Sequence, residues 1–327
     1  MRDTTTNHSE PEQITVGVFQ QRLAALTEGE AHAGDVALFS DLDRAKAREL
    51  RRSWPALPAA TRRKLVRDMA ELAEEQIEYN FSRALKVALR DADPAVRAAA
   101  IEGLWEDDGE DFLAYLLDEA PHDESAAVRL AAVRALARFS LLAVQDEIGE
   151  RWFQPLRDRL LALVRGGESP EVRRRALEAL AVYSGDAEVA DQIAAAYASP
   201  DEALRTSALF SMGRNLDERW LDTILEEMDN PVAALRYEAT RACGAFGDRR
   251  AVPRLLERLG DDDREVQLAA IGSLGQIGGD AALKILRRLA VSKDDVVREA
   301  AEEAIDEAAF MSNPLGPGGR LQADNWG

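Results

Sequence analysis

A twelve-residue pattern that returns along most of the chain constrains the fold more than any other feature. DPAVRAAAIEGL, ending at Leu104, comes back as SAAVRLAAVRAL to Leu136, SPEVRRRALEAL to Leu180 and DEALRTSALFSM to Met212. It continues as VAALRYEATRAC to Cys243, DREVQLAAIGSL to Leu274 and DDVVREAAEEAI to Ile305. The anchors Val96, Val128, Val172, Leu204, Leu235, Val266 and Val297 follow one another at 32, 44, 32, 31, 31 and 31 residues. Such a period marks an array of supersecondary units. Counting from the anchor, position +4 is always Ala, +7 is small and +8 is mostly large and apolar. At about 100° per residue these positions fall on one stripe about 100° wide, the face a core-directed helix needs. The alanines Ala100, Ala132, Ala176, Ala208, Ala239, Ala270 and Ala301 lie near its middle, where a methyl lets a neighbouring helix come close.

Asp93-Pro94, Ser169-Pro170, Ser199-Pro200 and Asn230-Pro231 precede the stripes and read as helix starts. Gly185, Gly247 and Gly278 follow as stops. A second apolar helix comes next in each unit: Phe112–Leu117, Leu156–Val164, Val189–Tyr197, Trp220–Met228, Val252–Leu259 and Leu283–Leu289. Neither helix of a unit buries its face alone, so the units must stack, and the expected fold is all-α, a right-handed α-solenoid (superhelix) of helix–turn–helix units. The expected layout is a flexible end at 1–13, a solenoid over 14–311 and a flexible tail at 312–327. Within the solenoid, 14–57 supplies capping helices (Val16–Leu26 and Asp41–Trp54), 58–90 an irregular first unit and 91–311 the regular array. Glu299, Glu302, Glu303, Asp306 and Glu307 are expected to face water as the polar cap of an array that must stop.

These units resemble HEAT repeats, in particular the short HEAT-like type first associated with phycobilin lyases. The residues that carry the resemblance are Val96-Arg97, Val128-Arg129, Val172-Arg173 and Val297-Arg298, the Ala that follows, and pairs such as Ala179-Leu180 and Ser273-Leu274. The resemblance implies an armadillo-like helical fold and a protein-binding scaffold. It also implies a structural ladder through the arginine after the anchor: Arg97, Arg129, Arg173, Arg205, Arg236 and Arg298, with Asp93, Asp201 or Asp294 as partners. Gln267 stands where one unit would have Arg, so the ladder is expected to break there.

Charge and chemistry narrow the function. Sixty acidic against 41 basic residues give a net charge of −19, which disfavours nucleic acid and anionic membranes as partners. The N-terminus lacks the apolar core of a signal peptide, and no apolar run suits a membrane span, so a cytoplasmic location is expected. The histidines His8, His32 and His122 form no ligand pattern, and the acidic turns Asp261-Asp262-Asp263 and Glu106-Asp107-Asp108 read as solvated caps, so no metal or other cofactor is expected. The single cysteine, Cys243, fills a stripe position and reads as core. No catalytic motif is present, so the expected function is a non-catalytic scaffold or adaptor for another protein or peptide, with a bilin lyase-like or chaperone-lyase enzyme and a nucleic-acid-binding protein as the alternatives. Two candidate binding surfaces emerge. The late second helices carry Arg250, Arg254, Arg258, Lys284, Arg287 and Arg288, suited to an acidic protein segment. The long spacing between Val128 and Val172 comes from an insertion near 140–154 that contains Trp152 and Phe153; it is either a binding element or a lengthened first helix packed on its neighbours.

Overall fold

The computed structural model of the protein describes residues 15–28 and 34–312. The expected flexible ends, with His8 and Trp326, lie outside the described residues apart from Ser312, as does His32. Among the described residues the regular elements are helices throughout, and none is long and apolar enough to cross a membrane. The helices form two compact units, residues 1–139 and 140–327, described in turn.

The first unit opens with α1 (Val16–Thr27), α2 (Arg44–Ser53), α3 (Ala59–Glu75) and α4 (Ser82–Ala88). Helices α3 and α4 fall within 58–90, the stretch expected to form an irregular first unit. The regular array begins with α5 (Pro94–Gly103) and α6 (Glu110–Asp118), followed by α7 (Ala126–Val144), which runs past the unit boundary. Asp93 caps α5 by accepting from the Ala95 N–H, and Pro94 takes the first-turn position where a missing N–H costs nothing. The core joins Leu65, Val66 and Met69 of α3 to Leu85 of α4 and Val96, Ala100 and Ile101 of α5, all buried. Phe112 of α6 meets Phe139 of α7 edge to face at 6.0 Å.

The second unit contains α8 (Phe153–Arg165), α9 (Pro170–Leu180), α10 (Ala187–Tyr197), α11 (Glu202–Asn215), α12 (Leu221–Glu227), α13 (Ala233–Phe246), α14 (Val252–Arg258), α15 (Arg264–Ile277), α16 (Gly279–Leu289) and α17 (Asp295–Ser312). First helices α9, α11, α13, α15 and α17 pack each on the next, and each second helix packs on the first helix that follows it. The fold is an α-solenoid. All seven stripe alanines are buried, at 0–1% exposure, so the periodicity places the seam correctly. Leu204 and Val297 are half-buried, unlike the other five anchors. The acidic residues of α17 face water.

Two details depart from the expected punctuation. Helix α11 is capped by Asp201, which accepts from the Ala203 and Leu204 N–H groups, not by Ser199. Ser199 and Asn230 lie earlier in their turns, where each accepts from the N–H two residues on, of Asp201 and Val232 respectively. Gly247 ends α13 in the left-handed region at φ 66°, but the equivalent stop of α11 is Leu216 at φ 56°, which carries the strain a side chain suffers there.

The sequence pattern also passes over what makes the first-helix layer tight. Position +9 is Gly213, Gly244 and Gly275 in three successive units. A Cβ added at Gly213 would sit 2.7 Å from the Ala242 Cβ and 2.8 Å from its Cα; one at Gly275 would meet the Ala304 carbonyl oxygen at 2.8 Å. At Gly244 it would come within 2.8 Å of the Ser273 Cα. Each glycine therefore receives the backbone of the +7 residue of the next first helix. Read as a lone helix residue, Gly275→Ala should stabilise by roughly 1 kcal/mol; against the α17 backbone it should instead lower stability by about 1–3 kcal/mol. A thermal melt that rises in the variant would refute the close contact.

Candidate functional site

The arginine after each anchor sits in the first turn of a first helix, so its guanidinium reaches the turn before it and the turn of the following unit. Arg97 donates Nη1 to the Asp91 carbonyl at 2.7 Å and pairs through Nε and Nη2 with both oxygens of Asp123, each at 2.7 Å. Arg129 in turn donates to the Asp123 carbonyl at 2.8 Å. Arg236 repeats the arrangement, with the Asn230 carbonyl at 3.0 Å and the Asp261 oxygens at 2.7 and 2.9 Å. Arg97 and Arg236 thus tie neighbouring turns together, and the carboxylates they meet are Asp123 and Asp261, not Asp93, Asp201 or Asp294. Those three cap α5, α11 and α17. The working carboxylate stands six residues before the next ladder position, where its second task is to accept from the N–H two residues on.

That position carries the signal the sequence reading missed. Asp91, Asp123 and Asp261 occupy it in three units, and Asp91 shows that the ladder begins earlier than expected. Arg62 of α3 pairs with Asp91 at 2.8 Å and donates to the Leu57 carbonyl at 2.8 Å, while the Trp54 indole N–H donates to the same carboxylate at 2.6 Å. Gln267 keeps the bond to its own turn, donating to the Asp261 carbonyl, and the link to the following unit passes to Arg264, which pairs with Asp294 at 2.7 Å. The expected break is therefore a detour. Arg298 pairs locally with Asp295 at 2.7 Å. Asp261 belongs to an acidic turn expected to be solvated; Asp263 does serve as the α15 cap, but Asp261 is buried under Arg236.

Around the middle of the second unit the ladder changes. Arg205 finds Glu227 at 3.4 Å instead of a turn aspartate, and that buried carboxylate also accepts from Tyr197 Oη at 2.5 Å and Asn230 Nδ2 at 2.6 Å. Burial and the Glu227 carboxylate together push the Tyr197 phenol up to about 12. Arg173 donates Nε to the Val164 carbonyl at 3.1 Å and has no carboxylate partner among the described residues.

The basic second helices divide in two. Arg250 turns back on Asp248 at 2.8 Å, Arg254 is bound to Asp229, and Arg258 pairs with Asp229 and Asp261, both at 3.2 Å. These three charges are consumed within the fold. Lys284, Arg287 and Arg288 stand exposed on α16 with no ion pair among the described residues. The insertion lengthens α7 to Val144 and then turns through a short 3-10 segment, Glu150–Trp152, into α8. Phe153 leans edge-on against Tyr183 at 4.9 Å with over a third of its surface exposed, and the Arg151 guanidinium covers the half-buried Trp152 ring. Cys243 is buried against the Met228 sulfur at 3.4 Å, and burial pushes its thiol up to about 12, far from a usable nucleophile.

The sequence matches HEAT repeats over residues 81–151 and 221–306. No curated protein sequence matches the chain. Among solved structures, YibA of E. coli is 18% identical, with 92% of this chain and 99% of that chain covered and a TM-score of 0.44. The CpcE–CpcF complex of phycocyanin lyase from Nostoc is 18% identical over 75% of this chain and 92% of that one, at a TM-score of 0.49. Kap95 in its complex with Nup1 is 14% identical, and 92% of this chain aligns with 44% of that one at a TM-score of 0.53; this likeness supports the α-solenoid fold.

The Arg236–Asp261 pair makes a test of the ladder. Burial alone would raise the Asp261 carboxyl, but hydrogen bonds from Arg236 and the Asp263 N–H outweigh it and bring it down to about 2. An unfolded aspartate titrates near 3.9, so the pair stabilises fully above about pH 4 and its contribution fades as pH falls toward 2. Asp261→Asn should cost about 2 kcal/mol at neutral pH, because Arg236 loses its buried carboxylate and keeps only the exposed Asp262, at 2.7 Å, and the turn carbonyls. It should also flatten the acid limb of stability between pH 4 and 2. Urea titrations across that range measure both.

Proposed function

Because the chain carries HEAT repeats stacked as an α-solenoid, we propose that it is a non-catalytic scaffold or adaptor that binds another protein through a preformed surface. What carries this reading is the contrast between the spent and unspent charges of the second helices. Arg250, Arg254 and Arg258 are neutralised by carboxylates of their own unit, whereas Lys284, Arg287 and Arg288 stand open on α16. In a chain of net charge −19, an unpaired basic face is where an acidic segment of a partner gains most from approach. The helices beneath are held by backbone-to-glycine contact and by ladder ion pairs, so little ordering is required of the scaffold on binding. Residues 14–311 act as one binding array in this reading, working in the cytoplasm, with the exposed edge of Phe153 as a secondary contact.

The reading is tested by capturing proteins from the native cell on the wild-type chain and on the triple variant Lys284→Glu, Arg287→Glu, Arg288→Glu. The triple variant should lose the captured protein and keep its melting temperature. Arg254→Glu should do the reverse, keeping the partner and melting lower because it leaves Asp229 facing a like charge. An identical set of captured proteins on wild type and triple variant would rule out α16 as the docking face.

A further inference from the structure

We propose that the unmatched rung of the ladder, Arg173, is a docking site for an acidic side chain of a protein partner. The occupant is an Asp or Glu with an aliphatic neighbour, and it supplies in trans the carboxylate that other units supply in cis. This deepens the scaffold reading and rests on it, but it places a contact at the N-terminal turns of α9 and α11, not on α16.

The argument is one of register. Arg97 meets Asp123 twenty-six residues on, and Arg236 meets Asp261 twenty-five residues on. Twenty-six residues on from Arg173 is Ser199. Ser199 is the structural counterpart of those aspartates, because its hydroxyl accepts from the Asp201 N–H at 3.1 Å just as Asp123 accepts from Ser125 and Asp261 from Asp263. The turn is thus retained and the carboxylate is missing. Its place is taken by an open cavity of about 380 Å³ lined by Arg173, Ser199, Gln192 and Asp201 above Leu177 and Leu204. Two consequences of the gap are visible. Arg173 is exposed where Arg97 and Arg236 have side chains only 11% and 9% exposed, and Leu204 is half-buried where five other anchors are buried.

The lining also selects the occupant. The guanidinium offers Nη1 and Nη2, with Nε held by the Val164 carbonyl, so a carboxylate can be held by two donors. Gln192 adds a neutral polar wall. Asp201 is the one acid in the lining, and its carboxylate is turned to the α11 N-terminus, where it accepts from Ala203 at 2.9 Å and Leu204 at 3.3 Å. The Leu177 and Leu204 side chains suit an aliphatic group next to the acid. The carboxylates that complete other rungs come from protein turns, and a partner's turn aspartate presents the same group at the same height.

The test is an NMR titration of the full chain with the peptide acetyl-Gly-Asp-Leu-Gly-amide, following the Arg173 Nε–H and the Leu204 methyl signals. Saturable shifts of both are expected, and the Asn analogue of the peptide should bind at least about tenfold more weakly. Arg173→Gln should remove the response. Ser199→Asp is the second arm, because it completes the rung within the chain: the protein should melt higher than wild type and no longer respond to the peptide. Absence of a saturable shift, or equal shifts with the Asn peptide, would overturn the proposal. So would saturation by acetate at the same concentration, which would make this a site for small carboxylates, or a Ser199→Asp protein that still binds. Partner capture through α16 is measured separately, so a silent Arg173 combined with capture that depends on Lys284, Arg287 and Arg288 would sink this site and leave the scaffold intact.

Discussion

The contact on which the second unit depends is the approach of one first helix to the glycine of another. Ala242 lies over Gly213, Ser273 over Gly244 and Ala304 over Gly275, with distances that leave no room for a single methyl at the glycine. Backbone at this range packs main chain on main chain, and the stripe alanines beside it keep the seam narrow. Side chains large enough to fill a conventional core are then needed only between first and second helices, where Ile193, Met212, Ile224, Met228 and Leu255 are buried. A chain with few aromatics can therefore still close its interior.

The ladder solves the complementary problem at the turns. Stacked helix pairs leave their connecting turns side by side, each with unpaired carbonyls that need donors. An arginine in the first helical turn satisfies the carbonyls of its own turn and holds a carboxylate of the neighbouring one, so a single side chain fixes both the local turn and the spacing of units. Asp91 and Asp261 show how fully this is used: each is buried, each pairs with an arginine, and each accepts from a backbone N–H at once. Charges so placed are structural. Of the basic residues that look alike in sequence, those facing such carboxylates belong to the fold, and those on α16 face solvent.

The seam was legible because alanine at one position of a fixed period has few physical explanations other than close helix contact. The helix pairs followed, including the irregular pair α3 and α4, whose pattern departs from the rest. The glycines at +9 were not legible, since a glycine within a helix reads as a weakness until the partner backbone is known. The ladder aspartates were hidden for a similar reason: an Asp in a turn looks like a solvated cap, and only the fold shows which of two neighbouring aspartates, Asp91 or Asp93, turns inward. Binding residues were read from charge alone, and charge does not distinguish Arg254, tied to Asp229, from Arg287, tied to nothing among the described residues.

The glycine line also governs how the second unit comes apart. In a linear stack a single helix pair ordinarily opens at the cost of its two flanking interfaces, and motion is local. Helices α11, α13, α15 and α17 share three consecutive contacts in which a backbone atom of the next helix stands 2.8 Å from where a glycine Cβ would lie. Separation of any one pair exposes main chain on both partners, so the amide protons of α11, α13, α15 and α17 should exchange with solvent as one cooperative block, while the second helices between them, held by side chains, open singly and far more often.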